Sequence, residues 1–128
     1  MRLGYRRLSS EQQTDGLSLE AQEEILKRAG CDRIYTDIES GWSGRSGESS
    51  DRKQFQEMLA DARSLRTDGH EVEIVFPEFS RWARSTLTSM GLIEQLEDEG
   101  VTLRSMDTGP ISVKTAGQWL NSMQQSVM

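Results

Sequence analysis

The chain has 128 residues and a mass of 14.5 kDa, which fits one domain that can bury a single apolar core without disulfides or a structural metal. Its lone cysteine, Cys31, excludes an intrachain disulfide and a cysteine-based zinc site, and no apolar run approaches the ~18 residues of a membrane span or the core of a secretory signal, so the expectation is a soluble cytoplasmic protein. The net charge of −6 argues against nucleic-acid binding by total charge, yet basic residues gather locally (Arg2, Arg6 and Arg7; Arg45, Arg52 and Lys53; Arg81 and Arg84) while acidic ones concentrate in predicted helices.

Residues 2–8 (RLGYRRL), with Leu3 and Tyr5 alternating, predict a first strand. Asp15-Gly16 marks a turn, Ser18 is placed to cap a helix running to Ala29, and Gly30 is the expected stop. Leu19, Ile25, Leu26 and Ala29 give that helix one apolar side. Residues 33–37 (RIYTD) predict a short second strand. Residues 40–50 (SGWSGRSGESS) lack periodicity and read as a mobile loop. Ser50 or Asp51 can cap a second helix, on which Phe55, Met58, Leu59, Ala62 and Leu65 follow 3–4 spacing until Thr67-Asp68-Gly69 breaks it. Val72, Ile74 and Phe76 alternate in a third strand that ends at Pro77. A helix is expected from Ser85 to Glu99 with Leu87, Met90, Ile93 and Leu96 inward and Gly100 as stop. Val101 and Leu103 mark a fourth strand, and residues 107–111 (DTGPI) read as a turn. From Thr115, Trp119, Leu120, Met123 and Val127 share one face of a last helix with no stop signal, as expected of a truncated longer helix. Strands alternating with helical crossovers predict an α/β domain: a mainly parallel sheet of about four strands with helices on both faces.

In such sheets chemistry gathers at the carboxyl ends of the strands. Three polar sets fall there: Arg7, Ser9, Gln12 and Gln13 after strand one; Ser40 and the loop after strand two; Ser80, Arg81 and Arg84 after strand three. Arg7 and Ser9 differ by two, so extended backbone sends them to one side. The sole histidine, His70, is expected at the opposite end of strand three, which makes a Ser-His-Asp triad an unsuitable description. A serine hydroxyl among guanidinium groups suits phosphoryl transfer, whose transition state spreads negative charge over oxygens that arginine forks match in pairs.

Tyr5-Arg6-Arg7-Leu8-Ser9 resembles the Tyr-x-Arg-x-Ser signature that opens the catalytic domain of serine site-specific recombinases, the resolvase and invertase superfamily. Residues 15–22 (DGLSLEAQ) look like the Gly-Leu-Ser-Leu-Glu-x-Gln segment of its large-integrase and transposase branch. Asp37 to Gly41 resembles Asp-x-x-Ser-Gly, Arg52 matches an arginine after the loop, and residues 80–85 (SRWARS) resemble Asp-Arg-Leu-x-Arg-Ser, with Ser80 where the family often has Asp. The ordered set spans residues 3 to about 125.

The resemblance implies a resolvase-like catalytic domain over residues 1–128, with a truncated dimerisation helix and its DNA-binding region absent. It implies Ser9 as nucleophile on a DNA phosphodiester, giving a 5′-phosphoserine link and a 3′-hydroxyl. Arg7, Arg81 and Arg84 would clamp the phosphate, with Arg52 assisting. Gln13 and Gln22, with Ser40 and Ser80, would position groups around the site. The partners implied are double-stranded DNA and further copies of the chain, as dimer and synaptic tetramer. No metal, no cofactor and no membrane are implied, and the setting implied is cytoplasmic and nucleoid-associated, for a bacterial or phage-encoded protein.

Other readings stand beside this one. Ser10 is an alternative nucleophile, Ser9 also fits a basophilic kinase acceptor, and Arg52, Arg81 and Arg84 also fit solvated helix faces. Trp42 either covers the site or touches DNA, and the base that activates Ser9 is not identified by residue type. As whole functions, a non-cleaving recombinase-like module fits Ser80 and the acidic charge, and a small-molecule phosphotransferase fits the Ser–Arg chemistry alone.

Overall fold

The computed structural model describes residues 1–9, 18–39, 52–78 and 90–112, without the side chains of Leu8, Ser9, Glu39 and Met90. The alternating segments become β1 (Arg2–Ser9), β2 (Arg33–Glu39), β3 (Val72–Phe76) and β4 (Val101–Ser105), joined by crossovers that contain α1 (Leu19–Arg28), α2 (Lys53–Thr67) and α3 (Met90–Asp98). The sheet order is β2-β1-β3-β4-β5, with the first four strands parallel. The expected α/β architecture is therefore present, with one strand more than predicted.

That strand, β5 (Gly109–Ile111), pairs antiparallel with β4 through Leu103↔Ile111 and Ser105↔Gly109. The segment expected to be only a turn thus turns and then pairs. Gly109 takes φ of +92°, a left-handed conformation open to glycine, which lets the chain reverse. Pro110 lacks an N–H, which an edge strand tolerates, and Ile111 joins the core at 6% exposure. Three residues are too few for a period-two signal to show in sequence.

The main core lies on one face of the sheet. Leu3 and Tyr5 of β1, Val72, Ile74 and Phe76 of β3, and Val101 and Leu103 of β4 meet Phe55, Met58, Leu59 and Ala62 of α2 and Ile93 and Leu96 of α3. These are the predicted inward positions, and Leu65 packs against the cluster half-buried. Leu87, the loop at 40–50 and the helix expected from Thr115 lie outside the described residues.

On the opposite face α1 lies against β1. Ser18 caps it as expected, its Oγ accepting from the Ala21 N–H at 3.1 Å, and Gly30 ends it with φ of +82°. Its apolar side differs from expectation. Leu26 and Gln22 are the buried positions, while Leu19, Ile25 and Ala29 are half-buried. The helix approaches so closely because Gly4 offers no side chain. A Cβ there would stand 3.0 Å from Cys31 Sγ and 3.1 Å from a Leu26 methyl. Gly4→Val is therefore expected to lift α1 and destabilise the domain by about 2–3 kcal/mol, with Gly4→Ala milder, as urea unfolding would measure. The same packing pushes the Cys31 thiol up to about 11, chiefly by burial.

The amino edge of the sheet is held by cations on backbone carbonyls, two of them at helix ends. Arg2 Nη1 donates to Ala29 O, Arg66 Nε donates to Glu99 O, and the Met1 ammonium donates to Glu71 O. His70 sits at this edge, just before β3, where it was expected. Among the described residues no helix is long and apolar enough to cross a membrane.

Candidate active site

The strand order reverses direction between β1 and β3. The chain moves one way from β1 to β2 and the other way from β3 to β4, so the switch point, where such sheets place their ligand crevice, falls at the carboxyl ends of β1 and β3. β1 stays paired with β2 to its last residue, Ser9↔Glu39, but its pairing with β3 covers only Arg2, Leu3 and Gly4. Beyond Gly4, among the described residues, no strand lies against that edge of β1.

Backbone direction alternates along a strand, and in β1 the Arg2 carbonyl points to the β2 side, where it accepts from Asp32 N–H at 2.7 Å. The odd residues Leu3, Tyr5 and Arg7 therefore direct their peptide groups toward β3. At Arg7, where β3 has parted, the Gln22 side-chain amide takes its place. Gln22 Oε1 accepts from Arg7 N–H at 3.2 Å, and Gln22 Nε2 donates to Arg7 O at 3.0 Å. Gln22 is 2% exposed and Arg7 is 9% exposed.

One step below Arg7 on the same strand, Tyr5 is fully buried. Its ring meets Phe55 of α2 edge-on, centroids 5.1 Å apart, and Phe76 of β3 at 6.2 Å. Its hydroxyl donates to Asp37 Oδ2 at 2.8 Å. Asp37, 5% exposed and the Cα partner of Arg7 on β2, also accepts from Gln54 N–H on Oδ1 and Phe55 N–H on Oδ2, both at 3.0 Å. It thus caps α2 from another strand. Ser50 and Asp51, expected to cap that helix, lie outside the described residues; Arg52 holds the N-cap position and makes no side-chain cap bond. A carboxylate suits a helix amino terminus, where free N–H groups and the dipole favour negative charge.

The Tyr5 phenol is raised well above its ordinary range, first by burial and then by its bond to Asp37 and that residue's charge; the Arg7 and Arg52 charges pull the other way. Two of the predicted guanidinium groups therefore act on one buried hydroxyl from separate elements, β1 and the start of α2. Tyr5 itself stays a neutral donor at ordinary pH.

Of the predicted site residues, Arg7 and Gln22 meet at this end of β1, and Arg52 stands at the start of α2, whose first N–H groups bond Asp37. The backbone of Ser9 closes β1 at the carboxyl edge of the sheet. The Ser9 side chain, Ser10, Gln13, Ser40, Trp42, Ser80, Arg81 and Arg84 lie outside the described residues. Two residues here were absent from the predicted set: Tyr5 and Asp37, both within quoted motifs, where each was used as a marker and given no role. For Asp37 the available signal was an acidic residue near the carboxyl end of the second strand, with a helix starting after a long loop.

The resolvase N-terminal domain family matches residues 2–127. The chain is similar to the transposon Tn3 resolvases of Escherichia coli and Klebsiella pneumoniae, 30% identical to each over 126 residues. The match covers 97% of this chain and 60% of each relative, so the chain spans about three-fifths of the curated relatives it matches. With the sheet order, the buried Arg7 at the switch point and the Ser9 strand end already in place, the chain belongs to the resolvase N-terminal domain family, the catalytic domain of serine recombinases.

Proposed function

We propose that this domain carries out the strand-cutting and rejoining steps of site-specific DNA recombination. The Ser9 Oγ attacks a DNA phosphorus, an Oγ–P bond forms, and the P–O3′ bond breaks. The product is a 5′-phosphoserine ester and a 3′-hydroxyl that takes up the proton. Attack of a 3′-hydroxyl on that ester reverses the exchange, so one phosphoester replaces another and ATP is not consumed.

Arg7 and Arg52, with Arg81 and Arg84, stabilise the charge on the non-bridging oxygens. Gln13, Ser40 and Ser80 keep the positioning roles that the family likeness implies for them. The observation that carries this reading is the buried Arg7, its backbone bonded by Gln22, on the strand whose last residue is Ser9, at the switch point where β1 and β3 part.

Double-stranded DNA is the proposed substrate. Association of copies into a dimer and then a synaptic tetramer brings two sites together, and the nucleoid is the proposed setting. With a net charge of −6, most DNA affinity is expected from outside this domain.

The test is to incubate the full-length protein with sheared genomic DNA from its host and quench in detergent. Protein-linked DNA is then recovered, its ends sequenced, and the linked residue mapped by mass spectrometry. A phosphodiester link from the Ser9-containing peptide to DNA 5′ ends at one recurrent sequence is expected. A link at Ser10 or elsewhere overturns the assignment of Ser9, and no link at all favours the non-cleaving module.

A further inference from the structure

We infer that Gln22 is a positioning residue that acts on the phosphate through the main chain of Arg7, standing in for the strand that β1 lacks there; this deepens the reading of Arg7 given above and rests on it. A primary amide can copy a peptide's pairing, its carbonyl accepting while one of its two N–H groups donates. Gln22 uses both on the two polar atoms of a single peptide-bearing residue, at 3.2 and 3.0 Å. It does so from inside the protein, at 2% exposure, so its amide is held by its surroundings and is not a solvated arm.

The register with β3 ends at Gly4, three residues short of Arg7. The proposed phosphate site lies where β3 parts from β1, and the same parting takes β3 away from the Arg7 N–H and C=O, which both point to that edge. Gln22 resolves that conflict: it bonds both groups from α1, with no β3 residue paired there. Because α1 carries Gln22 and rests on Gly4, the seating of that helix sets where the guanidinium begins. A geometric error of about 1 Å at a charge-stabilising group lowers rate roughly a hundredfold.

Two substitutions separate positioning from folding. Gln22→Met fills nearly the same volume and makes neither bond. Gln22→Glu keeps both bonds while the carboxyl is protonated, since its carbonyl accepts from Arg7 N–H and its O–H donates to Arg7 O. Once ionised it has no proton for the Arg7 carbonyl and repels it. Burial disfavours the carboxylate, so the protonated form persists above the ordinary glutamate value of about 4.3. The folded-state pKa is thus raised, and the clamp is present at low pH and lost as pH rises.

The experiment follows adduct formation by full-length protein on a duplex oligonucleotide bearing the sequence recovered above, together with hydrogen exchange at the Arg7 amide. Gln22→Met is expected to slow adduct formation tenfold to a hundredfold at every pH and to speed Arg7 exchange while Leu3 and Ile74 stay protected. Gln22→Glu is expected to approach the parent rate at the acid end of the pH profile and to fall away tenfold or more toward neutrality, relative to the parent. Parent-like rates and Arg7 exchange in Gln22→Met, or a Gln22→Glu profile parallel to the parent, overturn the inference. If the parent protein forms no adduct, the functional reading fails instead, and Arg7 exchange alone decides whether the clamp exists.

Discussion

Asp37→Ala is expected to cost about 3 kcal/mol of stability, the largest single loss among the polar residues of this site. Three donors lose their acceptor together: the Tyr5 hydroxyl and the Gln54 and Phe55 N–H groups. Loss of a helix cap costs about 1–2 kcal/mol, and leaving a buried hydroxyl without its acceptor costs about 1–3 kcal/mol. For a chain of this length that corresponds to a fall in Tm of about 10 °C. Asp37→Asn keeps an acceptor oxygen and is expected to lose less than half as much.

A double-mutant cycle with Tyr5→Phe should show a coupling of about 1–2 kcal/mol by urea unfolding, because the second change removes the donor that the first had stranded. A loss under 0.5 kcal/mol for Asp37→Ala would mean that α2 finds another cap. The same network sets an alkaline limit. The unfolded Tyr5 phenol ionises near its ordinary 10.0, whereas burial and Asp37 keep the folded one protonated. Above that pH the unfolded state holds fewer protons than the native state, so stability falls as pH rises. Cys31 adds to the fall from its ordinary 9.0 up to about 11. Tyr5→Phe should flatten the arm above pH 10.

How much of this was legible in sequence depends on the range of each interaction. Ser18 caps its own helix three residues on, so its role follows from local spacing. The strand–helix alternation is likewise local, and with the rule for crossovers it fixes a parallel sheet. Asp37 caps a helix that begins sixteen residues later, and no local rule connects the two. Gln22 occupies the middle of the inward side of α1, where an apolar pattern expects a hydrophobe. Only the strand order reveals that the position faces the edge of β1 beyond its register with β3. β5 is too short for its periodicity to register. Arg7 was legible because a charged residue at an inward strand position near a strand end is rare without a polar partner or ligand.

The other large effect falls on chemistry and leaves the fold alone. Ser9→Ala is expected to abolish the covalent DNA adduct with little change in the urea midpoint, since β1 is secured by its register with β2 and by the core positions Leu3 and Tyr5. Arg7→Lys is the sharper test, because it keeps the charge and changes its shape. A guanidinium presents a planar fork to two phosphate oxygens, whereas an ammonium is a point charge on a flexible stem. If Arg7 only attracts DNA, lysine should serve within about threefold at low salt, with a steeper or unchanged salt dependence. If it holds two oxygens of the transition state, adduct formation should fall about a hundredfold or more while DNA affinity stays near that of the parent. The second outcome is expected, because Arg7 is buried at the crevice wall with its backbone held by Gln22, a setting that fixes direction more than it supplies charge. Parallel measurement of adduct rate and of duplex affinity separates the two, and equal losses in both would assign Arg7 to binding alone.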